Sequence, residues 1–114
     1  MVDSNVLVMG LAFKENCPDL RNTRVIDIIN ELENYHAKVD VHDPWVDSAE
    51  AKHEYGLTLT NELKLNHYDA IILAVGHEQF VKMGAEEIRS LGREVHVFFD
   101  IKSVLPKATV DARL

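Results

Sequence analysis

Apolar runs alternate along this chain with stretches whose apolar positions recur at helical spacing. Residues 6–9, Val-Leu-Val-Met, are consecutive apolar positions closed by Gly10, the form of a short strand covered on both faces, as central strands of parallel sheets are. Val25, Ile28, Ile29, Leu32 and Tyr35 then recur three or four residues apart, which predicts one buried stripe of a helix that Asn22 or Thr23 can cap. Residues 39–42 alternate as a second strand ending at Asp43-Pro44. Pro44 suits a first helical turn, and Asp47 with Glu50 three residues later resembles a capping arrangement. A short helix to about Tyr55 follows, stopped by Gly56. Residues 57–60 are a candidate edge strand and 61–65 a candidate helical turn.

The continuous apolar run at residues 70–75, A-I-I-L-A-V, belongs at the centre of a sheet. Residues 80–91 read as a helix interrupted near Gly84, with Gly92 as its stop. Residues 95–99 form another buried strand, residues 100–105 a loop or short helix, and residues 109–114 a terminal edge strand. Strand and helix alternate throughout. The expectation is an α/β fold: a Rossmann-like three-layer sandwich, with a mostly parallel sheet, right-handed crossovers and helices on both faces. The strand exits of a parallel sheet share one edge, so Lys14, Arg21, Asp43, His77 and Lys102 are expected to converge there.

A chain of 114 residues has the size of a single domain, here spanning residues 1–114. Hydrophobic residues at 46% and charged residues at 27% are the composition of an ordinary globular protein. The formal charge of −7 argues against nucleic acid or an anionic membrane as a partner, because both select basic surfaces. No apolar run approaches the roughly 20 residues that span a bilayer. The amino terminus has none of the regions of a signal peptide, and a cytoplasmic address is the default expectation. The single cysteine forms no intramolecular disulfide, which fits a reducing compartment.

Chemistry concentrates in the segment after the first strand, which carries Lys14, Glu15, Asp19 and Arg21. Two cations beside Phe13 and upstream of a helix N-terminus suit a phosphate or carboxylate; the same residues also suit a solvated loop with surface ion pairs. A dinucleotide site would need G-x-G-x-x-G here, and Gly10 stands alone, so this domain is not expected to bind NAD by itself. His77 reads as a capping or buried hydrogen-bonded residue, and Asp43, beside its proline, as a helix cap. The six histidines lack the spacing of a zinc site.

The string G-L-A-F-K-E-N-C-P-D-L-R-N-T-R-V-I-D-I-I at residues 10–29, with its F-K-x-x-x-x-D-x-R core, resembles the opening of the C-terminal, UDP-binding domain of the UDP-glucose/GDP-mannose dehydrogenase family. The branch it resembles most oxidises UDP-N-acetylhexosamines. D-P at residues 43–44, A-V-x-H at 74–77 and F-F-D-I-K at 98–102 extend the resemblance over nearly the whole chain.

The resemblance implies that Lys14 contacts the UDP-sugar with Phe13 beside it, and that Arg21 reaches NAD held by a separate N-terminal domain. Lys102 stands where many relatives have a substrate-contacting arginine, and lysine lacks that residue's planar fork. It also implies an N-terminal NAD-binding domain and a central catalytic region outside this sequence, and a homodimeric full-length enzyme serving surface polysaccharide synthesis. The family's nucleophilic cysteine lies in a G-x-C-x-x-K-D-like segment that this sequence lacks, so Cys17 reads as a loop residue and no catalytic residue is expected. From another class, a stand-alone nucleotide-binding regulatory module shares this topology. A phosphoacceptor version needs paired acids after the first strand, where Leu11 and Ala12 stand.

Overall fold

The computed structural model describes residues 4–20, 23–60, 62–101, 105 and 110–113. Its strands are β1 (Asn5–Met9), β2 (Lys38–His42), β3 (Tyr68–Leu73), β4 (Gly92–Asp100) and β5 (Ala112–Arg113), and its helices are α1 (Val25–Asn34), α2 (Ser48–Tyr55) and α3 (Glu78–Arg89). The strands form one sheet in the order β2-β1-β3-β4-β5. Every pair in it is parallel. The run at residues 70–75 does supply the middle strand, shifted two residues toward the amino terminus.

Alternation along β1 divides the core in two. Val6 and Val8 pack on one face with Val25 and Ile29 of α1 and Ala51 of α2. Leu7 and Met9 pack on the other with Phe80 and Ile88 of α3 and Phe98 of β4. All four β1 residues are fully buried, each contributing about 1.5–3 kcal/mol by leaving water. Helices therefore cover both faces, as expected of a layered α/β domain. Among the described residues no helix is long and apolar enough to cross a membrane.

Local chemistry sets the ends of the elements. Asp47 caps α2, its carboxylate accepting the Ala49 N–H at 2.8 Å, and Gly56 closes the helix at φ 69°, a left-handed conformation that glycine adopts without strain. Gly84 sits inside α3 at φ 77°, ψ 162° and breaks it into two segments.

Several expectations need correction. Tyr35 does not join the buried stripe: α1 ends at Asn34, the chain leaves through His36 at φ 63°, and the Tyr35 ring is exposed. Pro44 lies in a turn before α2. Residues 57–60 form no strand, although the Thr60 N–H donates to the Val41 carbonyl at 2.8 Å beside β2. Residues 62–65 are not helical, and Asn61 lies outside the described residues. Gly92 opens β4; α3 has already ended at Ser90, whose N–H bonds the carbonyls of Glu86 and Glu87.

Candidate functional site

The exits of β1, β2 and β3 meet at the carboxyl edge of the sheet. Gly10 ends β1 at φ 103°, and a Cβ added there would lie 2.6 Å from that of Val75, so the turn accepts no side chain. The Gly10 N–H donates to the His42 carbonyl at 2.7 Å, after which the chain meets Asp43. One oxygen of this carboxylate, Oδ2, accepts the N–H groups of Leu11 at 2.7 Å and Ala12 at 2.9 Å. The other, Oδ1, accepts the Trp45 N–H at 2.8 Å.

Asp43 was expected to cap a helix. Instead it organises its neighbours' loop, and Asp47 is the cap. His77 completes the network. Its Nε2 lies 2.9 Å from Asp43 Oδ2, and its Nδ1 accepts the Asn16 N–H at 2.8 Å. An acceptor nitrogen carries no proton, so these two bonds fix the Nε2–H tautomer. This agrees with the reading of His77 as a buried, hydrogen-bonded histidine. Asn16 Oδ1 in turn accepts the Glu78 N–H at the start of α3, at 2.8 Å. Trp45 Nε1–H donates to Gln79 Oε1, also at 2.8 Å.

Burial pushes the Asp43 carboxyl upward, but hydrogen bonds from His77, Leu11, Ala12 and Trp45 overcome that and hold it below the ordinary carboxylate value. The ionised form is therefore the one built in. This arrangement also bears on dinucleotide binding. In such folds the amides after the first strand receive the pyrophosphate, whereas here the Leu11 and Ala12 amides already serve the Asp43 carboxylate. The turn does not fit NAD.

Beside the network, a cleft of about 340 Å³ opens between the exits of β1 and β3. That position is where the strand order reverses, the usual ligand crevice of open α/β sheets. Phe13 from the first loop, Arg24, Val25 and Ile28 from the start of α1, Val75 after β3 and Ile101 after β4 line it. Phe13 is half exposed, and the loop bearing it is closed by a bond from the Phe13 N–H to the Asp19 carbonyl at 2.7 Å. Lys14, next in the chain, is exposed and makes no ion pair among the described residues.

Asp43 and His77 thus meet at the strand exits, and the loop that bears Lys14 is bonded to both through Ala12 and Asn16. Arg21 and Lys102 lie outside the described residues. Asp100, two residues before Lys102, is fully buried; its Oδ2 accepts the Leu105 N–H at 2.9 Å, while Oδ1 has no hydrogen-bond partner among the described residues. Cys17 is a half-buried loop residue. Sequence reasoning missed Arg24, whose position at the mouth of α1 was the available signal. It also missed Asn16, for which the primary sequence gave none.

Comparison with known proteins fits this geometry. A sequence model of the UDP-glucose/GDP-mannose dehydrogenase family, UDP binding domain, matches residues 7–107. The chain is 56% identical over 111 residues to UDP-N-acetyl-D-glucosamine 6-dehydrogenase of Salmonella typhi, a match covering 97% of this chain and 26% of the relative. It is 54% identical to the enzyme of that name from Pseudomonas aeruginosa, with the same coverage. Among solved structures, NDP-N-acetyl-D-galactosaminuronic acid dehydrogenase from Methanosarcina mazei Go1 superposes with a TM-score of 0.78 at 26% identity, over 92% of this chain and 22% of that one. The chain therefore spans about a quarter of the length of the curated relatives it matches.

Proposed function

The chain belongs to the UDP-glucose/GDP-mannose dehydrogenase family as its UDP binding domain, and from that premise we propose that it forms one wall of the UDP-sugar site in an NAD-dependent nucleotide-sugar 6-dehydrogenase. The substrate is a UDP-N-acetylhexosamine, in keeping with the names of the relatives at 54% and 56% identity. The whole enzyme, a cytoplasmic homodimer, oxidises the C6 alcohol to a carboxylate for surface polysaccharide synthesis. NAD supplies the hydride acceptor from another domain.

The observation that carries this reading is the cleft at the β1/β3 crevice with Phe13, the neighbour of Lys14 in the chain, on its wall. On this reading the Lys14 ammonium offsets diphosphate charge and the Phe13 ring provides apolar contact, with contact to NAD assigned to Arg21 and contact to the substrate to Lys102. A cavity of about 340 Å³ is at the small end for a complete ligand site, as suits a half-site whose other wall is a separate domain. Binding by this chain alone is accordingly weak. The 114 residues contain neither G-x-G-x-x-G nor a G-x-C-x-x-K-D segment, so they carry out no turnover.

Titration of UDP into the chain, followed by amide NMR shifts, tests the reading. Shifts should gather at residues 10–16 and around Val25 and Val75, and Lys14→Ala should weaken binding about fivefold, the scale of one exposed-to-ligand charge contact. Shifts absent from these residues would remove the cleft from the site. In a separate assay with NAD and UDP-N-acetylglucosamine no NADH should form; its formation would overturn the placement of catalysis outside these residues.

A further inference from the structure

Lys14 is exposed and no ion pair with a described residue holds it. Its place is set instead by its flanks. Two residues before it, the Ala12 N–H donates to Asp43 Oδ2 at 2.9 Å; two residues after it, the Asn16 N–H donates to His77 Nδ1 at 2.8 Å. The two acceptors belong to side chains bonded to each other at 2.9 Å. His77 is fully buried and Asp43 nearly so. The imidazole is walled by the rings of Trp45 and Phe80, with centroids at 6.1 and 5.5 Å. Asn16 turns the chain at φ 54°, a conformation asparagine tolerates better than most residues.

We propose that His77 and Asp43 act as a positioning pair for ligand binding, gripping the Phe13-Lys14 segment at both ends so that the lysine is presented in its binding geometry. The proposal rests on the UDP-binding reading of the cleft. A loop held in advance loses less freedom when ligand arrives, and His77 is suited to the task because each ring nitrogen has one assigned partner. Neither residue touches the ligand; both act through Lys14.

The two halves of the grip can be separated. A glutamine at position 77 places its amide nitrogen near the position of Nε2, keeping a donor for Asp43 while leaving the Asn16 N–H without an acceptor. An asparagine places its oxygen near the position of Nδ1, with the reverse result. With UDP as the probe, His77→Gln should weaken binding about fourfold, no more than the about fivefold loss on removing Lys14 itself, and should speed exchange of the Asn16 amide. His77→Asn should bind within about twofold of the parent chain, since it retains the contact to the loop.

In a Lys14→Ala background, His77→Gln should cause no further loss, because the two changes act on one interaction. Additive losses would make His77 a general structural support and overturn the proposal. If UDP leaves the parent spectrum unchanged, the binding reading falls on its own. Exchange of the Asn16 amide and backbone order at residues 13–15 then decide the grip: loosening in His77→Gln retains it, and unchanged order overturns it. A measurement on the unaltered chain guards against variants that fail to fold. The His77 ring nitrogen spectrum should place the proton on Nε2, and a proton on Nδ1 would overturn the proposal.

Discussion

The carboxyl rim of the sheet and the outer face of β4 hold their side chains by opposite means. At the rim, three loops are tied through one buried carboxylate and one buried imidazole, each polar atom having a stated partner. On β4, Val95 is 86% exposed and Val97 54%, while Phe98, the residue after Val97, is fully buried on the opposite face. The rim is specified by direction, since a hydrogen bond fails when its partner shifts by an ångström. The face of β4 carries only strand propensity and apolar area, which is non-directional. Changes at the rim should therefore propagate between loops, and changes on that face should stay local.

The strongest test of the contrast is Gly10→Ala. Its Cβ would meet Val75 at 2.6 Å on a backbone at φ 103°, and we expect a loss of about 4 kcal/mol in urea unfolding from overpacking and backbone strain together. A loss below about 1 kcal/mol would show that the loops are not tightly registered.

Asp43→Asn should come next, at about 3 kcal/mol near neutral pH, because its amide group must face at least one N–H that now donates to a carboxylate. The native pKa of Asp43 is lowered from the ordinary 3.8. Its charge thus contributes stability that is whole above about pH 4 and is lost as the pH falls through the lowered native value. The gap between Asp43→Asn and the parent should accordingly narrow from pH 7 to pH 3. A gap of constant size would mean that the charge is not what binds the loops together. The smallest effect belongs to Val97→Thr, within about 0.5 kcal/mol in urea unfolding. A loss beyond about 1 kcal/mol would reveal that this face is covered in solution and would break the contrast.

What the sequence disclosed follows the same division. Strands and helices were legible because burial is periodic: the apolar runs at residues 6–9 and 70–75 fall in β1 and at the centre of the sheet, and the Val25-Ile29 stripe faces the core. Caps with strictly local chemistry were legible too, as with Asp47 and Gly56. The network was not, since Asp43 Oδ2 joins residues 31 to 34 positions away and Asn16 joins its partners across 61 and 62. No local pattern encodes such pairings. Lys14 and Phe13 could be named from the family motif, but the reason that their loop holds its shape lies in side chains from two other strand exits.

The break at Gly84 gives α3 two independent lives. With φ 77° and ψ 162° in its middle, the helix lacks an unbroken ladder, and neither short piece is long enough to persist in water by itself. The first piece is anchored by Phe80 in the core and tied to the loops by Asn16 at Glu78 and Trp45 at Gln79, so it moves with them. The second leans on Ile88 in the core, and its Arg89 bridges to Asp111 at 3.1 Å. Deuterium uptake should consequently divide one apparent helix into two clocks, the earlier half keeping time with residues 10–16 and the later half with β4.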